Sequence, residues 1–247
     1  MRRLLFTVVF SLVFPLSAHA AEALIAVASN FTAPMKKLAP MFERETGHKL
    51  TLAFGSTGKF YAQIHHGAPF DVLLAADETI PAKLEQEGMG SRRYTYALGR
   101  LVLWSAQADL VDGQGAVLQH TPLGRLAIAD PRLAPYGAAA IQTLDRLGRL
   151  AAWRPQFVVG ENISQAFQFA STGNAPLGFV ALSQVYVDGQ LQSGSAWIVP
   201  QSLYQPIRQD AILLGKAEHN DAATAFMKFL RSEAAVAVLR DYGYTLE

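Results

Sequence analysis

No cysteine occurs among the 247 residues. That absence removes disulfides, thiol nucleophiles, thiolate metal sites and lipid attachment at a cysteine together. Charge is scarce as well: 17% of residues are charged, and 21 basic side chains stand against 20 acidic ones. A chain so close to neutral exerts no general pull on nucleic acid or an anionic membrane, so any anion it binds must be held locally. There is no Gly-x-Ser-x-Gly elbow, no His-Glu-x-x-His helix and no recognisable pairing of catalytic carboxylates, so nothing asks for an enzyme. Repeats, low-complexity tracts and flexible linkers are also missing.

The long hydrophobic run lies at the N-terminus. Residues 4–16 are almost unbroken apolar, but 13 residues interrupted by Pro15 fall short of the ~20 that span a bilayer. Arg2 and Arg3 precede the run, and Ala18-His19-Ala20 follows it with small residues at the two positions a signal peptidase reads. Residues 1–20 therefore read as a signal peptide cleaved after Ala20, which places the mature chain free in the periplasm. Cleavage leaves 227 residues with 19 basic and 20 acidic side chains, a formal charge of −1. With 51% of the composition hydrophobic, a chain of this length can bury one large core or two smaller ones.

Short β-branched apolar runs alternate with helical patterns, which predicts an α/β fold with largely parallel sheets. Strands are expected at 24–28, 50–54 and 72–75, then at 101–105, 126–129, 157–159 and 177–181. Phe31, Met35, Leu38 and Phe42 form one apolar stripe on a helix ending near Gly47. Further helices are expected at 60–66, 78–87, 136–147 and 164–171. The tail reads as two more, 222–230 capped by Asn220 and 233–242. Two α/β blocks without a linker predict two lobes, 21–100 with 203–247 and 101–202. A ligand would then lie between them at the carboxyl ends of the strands, although composition alone also permits one continuous sheet.

Four strand-to-helix junctions share one chemistry: Ser29-Asn30, Gly55-Ser56-Thr57-Gly58, Tyr136-Gly137 and Asn162-Ile163-Ser164. Each puts hydroxyls or free backbone N–H groups at a helix start, where orphan donors and the positive dipole end suit an anion. Any single junction is explained by ordinary capping; four at corresponding places in two blocks point to a site. Gly58-Lys59 is not a Walker loop, because Ala53 and Phe60 stand where Gly and Ser or Thr are required. Lys59 reads as a surface charge. His65 and His66 point about 100° apart on a helix and cannot share a metal. Tyr94 and Tyr96 do not by themselves make an iron cluster, and Trp104, Trp153 and Trp197 read as packed in cores or at lobe edges.

The same junctions carry a resemblance. Ala28-Ser29-Asn30-Phe31, Phe54-Gly55-Ser56-Thr57-Gly58, Gly67-Ala68-Pro69-Phe70-Asp71-Val72, Ala75-Ala76-Asp77-Glu78, Leu101-Val102-Leu103-Trp104-Ser105, Ala134-Pro135-Tyr136-Gly137 and Gly178-Phe179-Val180-Ala181-Leu182 occur in this order. From Ala26 to Tyr244 the chain resembles the periplasmic molybdate-binding proteins of ABC importers. The resemblance implies a two-lobed, type II binding-protein fold that closes on molybdate or tungstate. It implies a monomer with no cofactor and no direct metal ligand, the metal being reached only through the oxyanion's oxygens. It also implies delivery to an inner-membrane ABC permease and its ATPase. Carried over by position, Ser29 and Thr57 give hydroxyl and N–H contacts, and Asn30, Tyr136 and Ile163 give backbone N–H groups. One branch of the family places a ligand-contacting tyrosine where this chain has Ala181; another uses the tyrosine of Pro135-Tyr136-Gly137, so the phenol contact falls to Tyr136. Sulfate or phosphate is the rival ligand within the same class.

Overall fold

The structure, a computed structural model, describes residues 20–122 and 124–246; the segment read as a signal peptide falls, up to residue 19, outside them. Among the described residues no helix is long and apolar enough to cross a membrane. The first half runs β1 (Glu22–Ala28), α1 (Thr32–Thr46), β2 (Lys49–Gly55), α2 (Thr57–His65), β3 (Val72–Leu74), α3 (Thr79–Gln86) and β4 (Gly90–Gly99). Then come β5 (Leu101–Ser105), β6 (Leu126–Ala129), α4 (Pro135–Arg146), α5 (Leu150–Trp153), β7 (Phe157–Gly160), α6 (Ile163–Ser171) and β8 (Leu177–Ala181). The last third is α7 (Leu182–Val185), β9 (Tyr186–Val187), β10 (Gln190–Leu191), β11 (Ser195–Ile198), β12 (Ile207–Leu214), α8 (Asp221–Phe229) and α9 (Glu233–Asp241).

These strands build two five-stranded sheets, not one, in the orders β2-β1-β3-β12-β4 and β11-β5-β8-β6-β7, with β9 and β10 as a separate pair. This is the two-lobed periplasmic binding-protein fold. The sheets are more mixed than the sequence pattern suggests. β1, β2 and β3 are parallel, as are β6, β7 and β8, but β12 runs antiparallel to β3 and β4, and β5 antiparallel to β8 and β11. The chain passes between sheets twice, after β4 and before β12.

Period-two alternation sends successive strand residues to opposite faces, and both faces of each sheet are covered. In the first sheet Ile25, Val27, Val72 and Leu74 face the α1 stripe of Phe31, Met35, Leu38 and Phe42, whereas Ala26 and Leu73 face Phe60, Ile64 and Leu84. Each fully buried side chain of this size stabilises by about 1.5–3 kcal/mol relative to exposure. The helix stops where Gly47 takes φ +74°, a left-handed C-cap that L side chains rarely adopt. In the second lobe Trp153 is fully buried and its indole donates to Leu118 O at 3.0 Å; Trp104 and Trp197 are buried too.

Candidate functional site

Every parallel strand ends its carboxyl edge toward the cleft. The turns after β1, β2, β6 and β7 bring four helix starts together: Ser29–Phe31 (a 3-10 turn), α2, α4 and α6. Between them lies a small cavity of about 10 Å³, lined by Ser29, Asn30, Ser56, Thr57, Tyr136 and Ile163 with the small or apolar walls Ala28, Gly55, Ala76, Ala134 and Pro135. The structure thus brings all five sequence-predicted residues, Ser29, Asn30, Thr57, Tyr136 and Ile163, to one place, each at most 5% exposed. No charged side chain lines it.

The donors follow from local geometry. At α6, Asn162 caps the N–H groups of Ser164 and Gln165 at 3.0 and 3.2 Å. That leaves the N–H of Ile163, the first residue of the helix, pointing out along the axis. At α4, Pro135 has no N–H, and Gly137 and Ala138 both donate to Ala134 O. Tyr136 therefore offers the first available N–H. Gly137 is required there, because a Cβ would stand 2.2 Å from Ala129 O. At α2, the Thr57 hydroxyl accepts from Ala76 N–H at 3.0 Å. A hydroxyl whose oxygen is so engaged has its proton left to give.

Asn30 turns its side chain away from the cavity. Its amide donates to Gln209 Oε1 at 2.8 Å and to the Tyr244 hydroxyl at 2.9 Å, leaving the backbone N–H for a ligand. Gln209, fully buried on β12, donates in turn to the Tyr136 hydroxyl at 3.1 Å and accepts from the Tyr96 hydroxyl at 3.0 Å. So Tyr136 lines the cavity while its hydroxyl is engaged by Gln209 in a buried polar network. Burial pushes the Tyr96 and Tyr136 phenols well above their ordinary pKa, and that of Tyr244 up to about 12. All three stay neutral, and none repels an anion.

Gln209, Tyr244 and Ser183 were not singled out from sequence, and Tyr96 was weighed only as an iron ligand. The signal for Gln209 is a run of polar residues, Arg208-Gln209-Asp210, inside an otherwise apolar strand. Ser56 was singled out only as part of its junction.

Direct contacts cross the cleft. Gly58 N–H donates to Leu133 O at 3.0 Å, Ser164 Oγ to Ser29 O at 3.2 Å, and Ser183 Oγ to Asn30 O at 2.7 Å. Lys59, read as a plain surface charge, pairs with Glu161 at 2.6 Å; both side chains are substantially exposed, so this pair adds little stability. His65 is an exposed helix end, paired with Glu87 at 2.8 Å.

What results is a small uncharged cavity lined by backbone and hydroxyl donors from both lobes, the kind of donor set that replaces the hydration shell of a compact anion. Comparison with known proteins agrees in extent and in kind. The molybdate-binding protein ModA of Azotobacter vinelandii is 55% identical over 94% of this chain and 92% of its own length. That of Rhodobacter capsulatus is 50% identical over 94% and 91%. The solved structure of an Azotobacter vinelandii periplasmic molybdate-binding protein superposes with a TM-score of 0.88 at 38% identity, covering 91% of this chain and 99% of that one. The family model described as bacterial extracellular solute-binding protein matches residues 23–245, and the chain belongs to that family.

Proposed function

We propose that this protein captures molybdate, with tungstate alongside it, in the periplasm and delivers it to the permease and ATPase of an inner-membrane ABC importer. The observation that carries the reading is the convergence of four helix starts on one buried cavity with no charged lining residue. The relatives are molybdate-binding proteins, which supports the choice of ion. Ser29 and Thr57 supply hydroxyl and N–H donors, and Asn30, Tyr136 and Ile163 supply backbone N–H groups. The lobes are residues 21–100 with 203–247 and 101–202, and the two chain crossings are the hinge. One chain supplies every wall of the cavity, so a monomer suffices. No cofactor takes part, and the metal is touched only through its oxygens.

Neutral donors fixed on rigid helix starts select by size. Losing the hydration of a dianion is offset only when several charge-assisted hydrogen bonds form at once. A cage whose backbone is locked across the cleft makes all of them only for an ion of the right radius. An arginine would hold any dianion. Molybdate and tungstate are nearly the same size, so such a cage discriminates poorly between them.

The test is thermal unfolding of ligand-stripped protein with molybdate, tungstate, sulfate, phosphate or chromate. Molybdate and tungstate are expected to raise the midpoint strongly, by about 4 kcal/mol of stabilisation at a thousandfold excess over the dissociation constant, and sulfate and phosphate weakly. Equal shifts from sulfate and molybdate would overturn the size-selective reading.

A further inference from the structure

Ser56 stands at the N-cap of α2 with φ −86° and ψ 148°, extended backbone suited to capping, yet its side chain makes no cap bond. One of its two ordinary targets, Gly58 N–H, the second of the helix, is taken by Leu133 O from the facing lobe. Ser56 is 3% exposed, and among the described residues its Oγ is the one buried side-chain polar atom without a hydrogen-bond partner. It also lines the cavity.

A buried hydroxyl left unpaired is costly, and native structures leave such groups rarely and for a reason. We infer that the Ser56 hydroxyl donates directly to the bound oxyanion, a contact additional to those of Ser29 and Thr57; this rests on the oxyanion reading above. The two neighbouring hydroxyls divide the work. Thr57 Oγ1 is tied to Ala76 N–H, so it holds the loop and the ion together. Ser56 has no second partner, and its bonding capacity is used only when the cavity is filled.

Two measurements on Ser56→Ala decide it: calorimetric titration with molybdate, and thermal unfolding without ligand. The dissociation constant is expected to rise roughly 10- to 150-fold, while the ligand-free midpoint stays level or rises, because an unpaired polar atom has been removed. Affinity within about twofold of wild type overturns the contact, whatever the midpoint does. Should alanine fail to fold, Ser56→Gly removes the same hydroxyl with a residue that suits an N-cap, and the same affinity criterion applies. Wild-type protein that binds none of the oxyanions overturns the functional reading itself, whereas binding by wild type and variant alike overturns only this contact.

Discussion

Ser56 and Ser232 occupy the same position on two different helices and do opposite things. Ser232, with φ −69° and ψ 155°, accepts from Ala235 N–H and caps α9. Ser56 has nearly the same backbone and caps nothing. Two further starts show the same contrast. α8, remote from the cleft, begins on Asn220, which accepts from Ala222 and Ala223. α4, at the cavity, begins on Ala134, which has no side-chain acceptor at all. At the cleft α2 and α4 make no side-chain cap, whereas α6 is capped by Asn162 and keeps only its first N–H, that of Ile163, uncapped. A buried helix start without a cap is a cost to the empty protein and an asset to the filled one.

The largest effect that would break this comparison belongs to Thr57→Ala. The substitution removes a donor to the dianion and strips a buried Ala76 N–H of its acceptor. Molybdate should bind roughly 10- to 150-fold more weakly, and the ligand-free fold should lose about 1–3 kcal/mol. Titration and denaturant unfolding on one sample measure both. Unchanged affinity would reduce Thr57 to a structural clip.

Tyr136→Phe comes next and sharpens the role of the phenol. Its hydroxyl accepts from Gln209, so phenylalanine leaves a buried amide hydrogen unpaired and costs about 1–2 kcal/mol of stability. Affinity should move less than about threefold, because the backbone N–H at the start of α4 is retained. A loss of tenfold or more would return the phenol to the anion, as the family's pattern suggests.

The smallest effect is Asn220→Ala, on the capped side. Stability should fall by about 1 kcal/mol with molybdate affinity unchanged. Any loss of binding there would mean that the two kinds of helix start are not independent.

The elements that sequence shows clearly are those whose residues obey one local rule. The Phe31, Met35, Leu38 and Phe42 stripe, the β1 and β8 runs and the Asn220 cap were all legible, because period, β-branching or capping chemistry suffices to define them. Helix α2 begins at Thr57, three residues before the expected start, since its first turn carries Gly58 and Lys59 in place of an apolar stripe. β4 and β12 escaped notice for a different reason. β12 holds Arg208-Gln209-Asp210 within a buried strand, a pattern that locally reads as a loop. It persists because Gln209 is bonded to Asn30 and Tyr136, and Asp210 to Arg93 and Thr95, all distant in the chain. The irregular register at Gln209 and Asp210 marks the same place. The five residues of the cavity were legible as helix starts, but only the fold could show that Ser56 is unpartnered and that the Tyr136 hydroxyl belongs to Gln209.

The position of β12 has a consequence for how the molecule comes into being. It lies between β3 and β4, and β4 pairs with no other strand. The second sheet is complete once residue 198 has been made, whereas the first lacks the strand that joins β3 to its edge strand β4 until residue 214 follows. Placing that strand joins segments more than a hundred residues apart, contacts whose loop-closure entropy makes them slow to form. The first sheet is thus begun first and finished last.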